Sequence, residues 1–262
     1  MIDHDNLEEF ADPVNYDMED AGDTSGISFY SVLAQETGDP VLELACGTGR
    51  VTIPIARLGF QVTGLDIVPG MLDRARAKSA SLSVHWVEGD ARTFDLGEQY
   101  RLIFLTGNAF QAFVTNVEQA AVLQRVHTHL HDDGLFAFET RNPMFSRPQN
   151  RERRIFLLTT SDEEEIWPSF VDVNGNEVRI TRTQVYDHVA QILHLKSYKR
   201  WHVGEQEYTR MARTALRYTF PQELAALLHY NGFTIIRQYG DWSLEPLTAT
   251  SPGIISVCRK RM

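Results

Sequence analysis

Between residues 40 and 139 the chain alternates short apolar runs with amphipathic helical stretches, and that alternation leaves few folds open. The spacing predicts strands over 40–45, 61–65, 82–87, 100–105 and 135–139. It predicts helices over 27–37, capped by Ser25 or Ser28, and over 50–58, 71–79 and 117–130. Strands joined by helical crossovers imply βαβ units and a parallel sheet. Right-handed crossovers bring the strands' C-terminal ends to one rim, where ligands of such sheets bind.

The rhythm breaks after residue 141. Strand patterns follow one another over 155–160, 177–186, 191–201 and 207–219, with turn signals at Asn174-Gly175 and Val203-Gly204-Glu205. This reads as an antiparallel sheet inserted into an α/β domain. A helix from Pro221 to the Asn231-Gly232 cap and strands over 233–239 and 253–258 complete the core. The expected organisation is an acidic arm and lid helix over 1–37, a cofactor-binding core over 38–145, an antiparallel roof over 146–219 and completion of the core over 220–262.

The strongest local signal runs from Val41 to Arg50. Glu43, Leu44, Ala45, Cys46, Gly47, Thr48 and Gly49 lead from a strand through a tight turn into a helix. Gly47 and Gly49 lack a Cβ, so the backbone can take positive φ and approach a ligand closely. The helix start offers N–H groups to a carboxylate or phosphate. Asp66 ends the next strand, where its carboxylate can accept both hydroxyls of a ribose. Thr52 stands where a dinucleotide fingerprint wants a third glycine, which favours a nucleoside ligand without pyrophosphate. Gly89-Asp90-Ala91 ends the third strand; Asp90 suits an adenine amino group and Ala91 leaves room for the ring. Thr106, Gly107 and Asn108 end the fourth.

Together these residues resemble the motifs of class I S-adenosylmethionine-dependent methyltransferases. Glu43 with Ala45-Cys46-Gly47-Thr48-Gly49 is similar to that family's acidic-x-G-x-G-x-G loop, with Ala45 for the first glycine. Asp66-Ile67 with Met71-Leu72 and Ala75 resembles its ribose-binding segment, and Gly89-Asp90-Ala91 its adenine-binding segment. Val68 replaces a frequent serine cap, and Pro69 compensates at helix entry. The resemblance implies a Rossmann-like seven-stranded sheet with an antiparallel last strand. It implies S-adenosyl-L-methionine as cofactor and methyl transfer to an acceptor nitrogen or oxygen. The inserted sheet resembles that of the small-molecule N-methyltransferases for amino sugars or glycine-type amines, and Asn15-Tyr16-Asp17 their N-terminal tyrosine motif.

The cofactor contacts so implied are Tyr16, Glu43, Ala45, Cys46, Gly47, Gly49, Arg50, Asp66, Ile67, Met71, Gly89, Asp90, Ala91 and Thr106. Glu43 orients the loop, meets the cofactor's ammonium group, or is an acid satisfied by backbone N–H groups. Arg50 either assists at the methionine carboxylate or is a solvated first-turn residue. On the acceptor side stand Tyr16, Asn108 and Arg141. Tyr16 covers the cofactor, contacts the acceptor or packs as a lid aromatic, and Asn108 binds the acceptor or caps a turn. Arg141 holds an anionic acceptor or pairs with a surface carboxylate. Tyr198, Trp201 and His202 line the acceptor pocket or form cross-strand pairs. The alternatives are an RNA- or protein-directed methyltransferase, a nicotinamide-dependent oxidoreductase and a non-catalytic binding module.

Charge and composition bound the rest. At 43% apolar and 23% charged residues, 262 residues can build a sizeable core. No apolar run reaches the ~18–20 residues of a membrane span, and the start is acidic where a signal peptide is basic. Cys46 and Cys258 are too few and too far apart for a disulfide framework or a Cys-built metal site. His127, His129 and His131 read as helix-end dipole partners and no metal is expected. Glu163-Glu164-Glu165 reads as a solvated loop, and Arg151, Arg153 and Arg154 as a short basic run balanced by nearby acid. The net charge is −10, yet residues 1–23 hold nine acids and no Lys or Arg. The body is therefore near neutral, and the arm is either a solubilising tail or a flap over the cleft. With no long basic stripe, nucleic acid is disfavoured. The expectation is a cytoplasmic enzyme with a small-molecule acceptor and no membrane association, either a monomer or a homodimer.

Overall fold

The computed structural model describes residues 6–149, 153–156, 158 and 160–261. Asp3, Asp5 and Arg151, parts of the predicted 155–160 strand, and the side chains of Arg153 and Arg154 lie outside the described residues.

Two short helices precede the main sheet, α1 (Pro13–Glu19) and α2 (Ile27–Thr37). The Asp12 carboxylate caps α1 by accepting the Asn15 N–H, and Pro13 fits the first turn, where no N–H is needed. The α2 cap is Gly26, not Ser25 or Ser28. Its φ is +77°, and a Cβ there would lie 3.0 Å from Trp242, so the packed indole selects glycine over a serine cap.

The core then alternates β1 (Val41–Leu44), α3 (Thr52–Arg57), β2 (Val62–Asp66), α4 (Pro69–Lys78), β3 (Val84–Glu88), β4 (Tyr100–Leu105), α5 (Asn116–His129) and β5 (Leu130–Arg141). Every residue of β1 and β2 is buried, as expected for parallel strands covered on both faces. One face packs Leu42, Phe136 and Phe138 against α5 residues Val122 and Val126; the other packs Val41 and Phe104 against Tyr30 and Leu33 of α2. His127 and His129 lie in the last turn of α5, but His131 lies in β5, with its Nδ1 2.5 Å from Asp133.

An antiparallel excursion follows: β6 (Ser146–Gln149) pairs with β7 (Arg153–Phe156). Then β8 (Ser161–Val171), β9 (Glu177–Asp187), β10 (Ile192–Val203) and β11 (Gln206–Arg217) form a four-stranded sheet in the order β11-β10-β9-β8. The Glu163–Glu165 run is thus an edge strand rather than a loop. Its acids face water, and Glu164 pairs with Arg200 at 2.7 Å. Charge on an edge strand blocks further pairing, and here it removed the apolar alternation by which strands are recognised.

After α6 (Pro221–Tyr230), β12 (Phe233–Tyr239) and β13 (Gly253–Lys260) return to the main sheet. Its order is β12-β13-β5-β4-β1-β2-β3, with β13 antiparallel to both neighbours. Among the described residues no helix is long and apolar enough to cross a membrane, and no His/Cys/Asp/Glu group is arranged to hold a metal ion.

Candidate functional site

The loop after β1 is tightly wound. Ala45, Gly47 and Gly49 have φ of +54°, +56° and +81°. The two glycines serve different ends. A Cβ at Gly47 would meet only the Met71 methyl, at 3.4 Å. A Cβ at Gly49 would lie 2.7 Å from Trp86 and 3.0 Å from Ile53, so Gly49 makes room for core packing. Cys46 is buried and its thiol is pushed up by burial, consistent with a packing residue.

Asp66 ends β2, buried, and accepts the Gly47 N–H at 2.7 Å on one oxygen and the Val68 N–H at 2.9 Å on the other. Burial raises its carboxyl, against these amide bonds. Each oxygen keeps a further lone pair for a hydroxyl donor. Ile67 beside it is 41% exposed, an apolar platform at the strand end. This donor set fits a nucleoside. Asp90 is engaged by Arg92, whose Nη2 lies at 2.7 Å and whose Nε lies 3.0 Å from both oxygens. That guanidinium holds the Asp90 carboxyl below its usual range. Gly89 lies over Leu65, and Ala91 belongs to the core.

Glu43 is fully enclosed. It accepts hydrogen bonds from the hydroxyls of Thr52 and Thr106, the latter at 2.9 Å, and burial pushes its carboxyl up to about 7. Thr52 therefore occupies the third-glycine position as a partner of Glu43. A second buried acid, Glu139 on β5, was not among the sequence candidates. It accepts the Tyr30 O–H at 2.5 Å and the Asn108 N–H at 3.3 Å, and burial raises it too. Its signal was an acid closing an otherwise apolar strand. Asn108 stands at the start of a single 3-10 turn with φ +59°, but its side chain makes no cap bond there; its backbone N–H is what Glu139 receives.

The acidic arm is docked, not a free tail. Asp17 accepts the Thr48 hydroxyl at 2.6 Å, Arg74 Nε at 2.7 Å and Lys78 Nζ at 2.8 Å, which ties α1 to the glycine loop and α4. On its other side, Glu9 and Glu19 hold Lys199 at 3.0 and 2.5 Å, Asp12 lies 3.7 Å from Arg210, and Glu8 pairs with Arg213. Asn6 exchanges two hydrogen bonds with the Ala215 backbone, at 2.7 and 2.8 Å. Arg50 is partly exposed; it donates to the Ser25 carbonyl at 2.7 Å and lies 3.5 Å from Asp23.

A family model described as a methyltransferase domain matches residues 41–134. A curated relative, the putative methyltransferase YqeM of Bacillus subtilis, is 26% identical over 223 residues, 84% of this chain and 83% of its own length. The CcbJ methyltransferase of Streptomyces caelestis is 25% identical with TM-score 0.73, over 92% of this chain and 98% of that one. These matches support a class I S-adenosylmethionine-dependent methyltransferase. The fold is shared with S-adenosylmethionine-bound CalS10 of Micromonospora echinaspora, an amino pentose methyltransferase, at 17% identity and TM-score 0.66 over 97% and 94% of the chains.

The methyltransferase places Tyr16 half-buried on α1, one turn before Asp20, with its ring edge-on to Phe10. Burial, then the Asp20 charge, hold its hydroxyl well above the usual phenol range. Arg141 ends β5 with Nη1 3.2 Å from Gln111 Oε1, and no described carboxylate pairs with it. Arg182 on β9 sits with its guanidinium 4.2 Å from the Trp167 ring centre and 3.6 Å from Glu19. Trp201 stacks on Tyr208 across the β10–β11 pair, and the Arg200 guanidinium lies over Tyr198.

Proposed function

We propose that this methyltransferase moves a methyl group to a nitrogen or oxygen of a small-molecule acceptor that enters between the strand-end rim and the four-stranded sheet. One observation carries the reading: α1 is pinned to the glycine loop on one side and to β10 and β11 on the other. The arm and inserted sheet then roof the rim, which suits a small acceptor better than an extended nucleic acid. In this reading residues 1–37 are lid, 38–145 and 220–262 the cofactor core, and 146–219 the roof.

Asp66 would hold the ribose, Ile67 and Met71 the nucleoside's apolar faces, and the Gly47–Gly49 turn the methionine carboxylate. Glu43 acts indirectly, by fixing Thr52 and Thr106 around the loop. Tyr16 covers the cofactor from α1. When bound, S-adenosylmethionine would supply an electrophilic methyl group for the acceptor's lone pair. The protein's share is alignment. Asn108 and Arg141 flank the acceptor's approach from β4 and β5.

The test is mass spectrometry of products after incubating the protein and cofactor with a panel of amines, amino sugars and alcohols, and separately with bulk tRNA and protein. Methylated small products support the reading. Methylated tRNA or protein without any small product overturns it.

A further inference from the structure

Asp66 is 7% exposed, and Thr48, between the two glycines of the loop after β1, is 2% exposed. A nucleoside cofactor coming from solution must displace what covers them. The arm spans that cover. Asp17 on α1 accepts the Thr48 hydroxyl at 2.6 Å. Pro13, at the start of α1, lies against the first turn of α4, where a Cβ on Gly70 would meet its ring at 3.4 Å. Beyond α1, the Ser25 carbonyl accepts Arg50 at 2.7 Å. The arm thus touches the glycine loop on both sides of Gly49 and also the helix that follows Asp66.

Its ion pairs divide by direction. Glu8, Glu9, Asp12 and Glu19 pair with Arg213, Lys199 and Arg210 of β10 and β11. Asp17 instead pairs with the core, with Arg74 Nε at 2.7 Å and Lys78 Nζ at 2.8 Å, and Lys78 also donates to the Thr48 hydroxyl oxygen at 2.9 Å. At the far end of the arm, Asn6 bonds Ala215, near the end of β11, and the Ala112 carbonyl at 3.4 Å, where the inserted sheet rejoins the core. Residues 21–25, which link α1 to α2, are exposed. Helix α1 is therefore fastened to the roof by several pairs and to the glycine loop through one carboxylate, with a pivot at Asn6 and an exposed link behind it.

We propose that the arm and the inserted sheet open and close as one body, and that Asp17 is the latch. S-adenosylmethionine enters, and S-adenosylhomocysteine leaves, when the Asp17 carboxylate lets go of Thr48, Arg74 and Lys78. The proposal rests on the reading of residues 1–37 as a lid over the cofactor. Asp17 is a positioning residue: closed, it holds Thr48 and with it the Gly47–Gly49 turn. The latch is made of protein groups alone, so it closes whether or not the cofactor is in place, and both association and dissociation wait for opening. A weaker latch raises the open fraction and speeds both steps by a similar factor. A residue that only shaped the pocket would change dissociation and leave association alone.

Surface plasmon resonance with S-adenosylhomocysteine over the immobilised full chain measures both rates. Asp17→Asn should speed association and dissociation each by about tenfold, the scale of one lost charge-assisted hydrogen bond, and so leave Kd within about threefold. Faster association also reports that the variant is folded. Lys78→Met, which weakens the latch from α4, should raise both rates by at least about threefold. Glu8→Gln, on the roof side, should leave both rates unchanged. Unchanged rates in Asp17→Asn and Lys78→Met, or faster dissociation without faster association, overturn the latch. Equal acceleration in Glu8→Gln overturns the joint movement of arm and roof. The measurement needs no acceptor, so the latch can fail while the product panel still supports a small acceptor, and the panel can fail while the latch stands.

Discussion

Glu43→Gln isolates the cost of enclosing a carboxylate beneath the glycine loop. Glu43 is 1% exposed, and its carboxyl is raised from the ordinary 4.5 to about 7 by burial, against the hydrogen bonds from Thr52 and Thr106. Below pH 4.5 both folded and unfolded chains carry the proton, and the Glu43 contribution to stability is fully present. Between 4.5 and 7 the folded chain holds a proton that the unfolded chain has released, so stability falls as pH rises, and above 7 the contribution is lost. At about 1.4 kcal/mol per pH unit the loss is about 3 kcal/mol. Gln is isosteric and can accept from one threonine hydroxyl while donating to the other, so the variant should fold. It should therefore gain on the native protein as pH rises from 4.5 to 8, by roughly 6–12 °C in melting temperature for a chain of this size. Scanning calorimetry of both proteins across that range measures the gap, and the remaining titrating groups largely cancel in the difference. A gap that does not change with pH refutes the argument.

Ala45→Gly should stabilise the protein by about 0.5–1 kcal/mol, because φ of +54° strains any L side chain by more than glycine's added chain entropy costs; urea unfolding measures it. Gly49→Ala should destabilise by about 2–4 kcal/mol and abolish S-adenosylhomocysteine binding, since its Cβ would fall 2.7 Å from Trp86; native stability in this variant would refute the packing role. Asp66→Asn should weaken S-adenosylhomocysteine at least about tenfold by calorimetry, the scale of one lost charge-assisted hydrogen bond. Raising sodium chloride to about 0.5 M should expose the arm to limited proteolysis, because its docking depends on screened ion pairs; cleavage independent of salt would show that other contacts hold it.

The sheet and its rim were legible because buried parallel strands write themselves as continuous apolar runs, as in Val41–Leu44, and because Asp66 interrupts that pattern at a strand end. β8 was not, because Glu163, Glu164 and Glu165 cover an exposed edge. Nor were the partners of Glu43: nothing local says that Thr52 and Thr106, 9 and 63 residues away, converge on one carboxylate. The acidity of the arm was plain from composition, but its fate was not. The bases that receive it, such as Lys78 and Lys199, are scattered through the chain and meet only when the roof is built.

That docking has a consequence for biogenesis. Asn6 binds the backbone of Ala215, 209 residues further on, and Glu8 binds Arg213 across 205. This segment is made long before its partners and finds its place only after every strand of the inserted sheet has been made. Until then the emerging chain trails an uncompensated cluster of negative charge. That charge keeps nascent molecules apart while the apolar strands behind it are still unpaired.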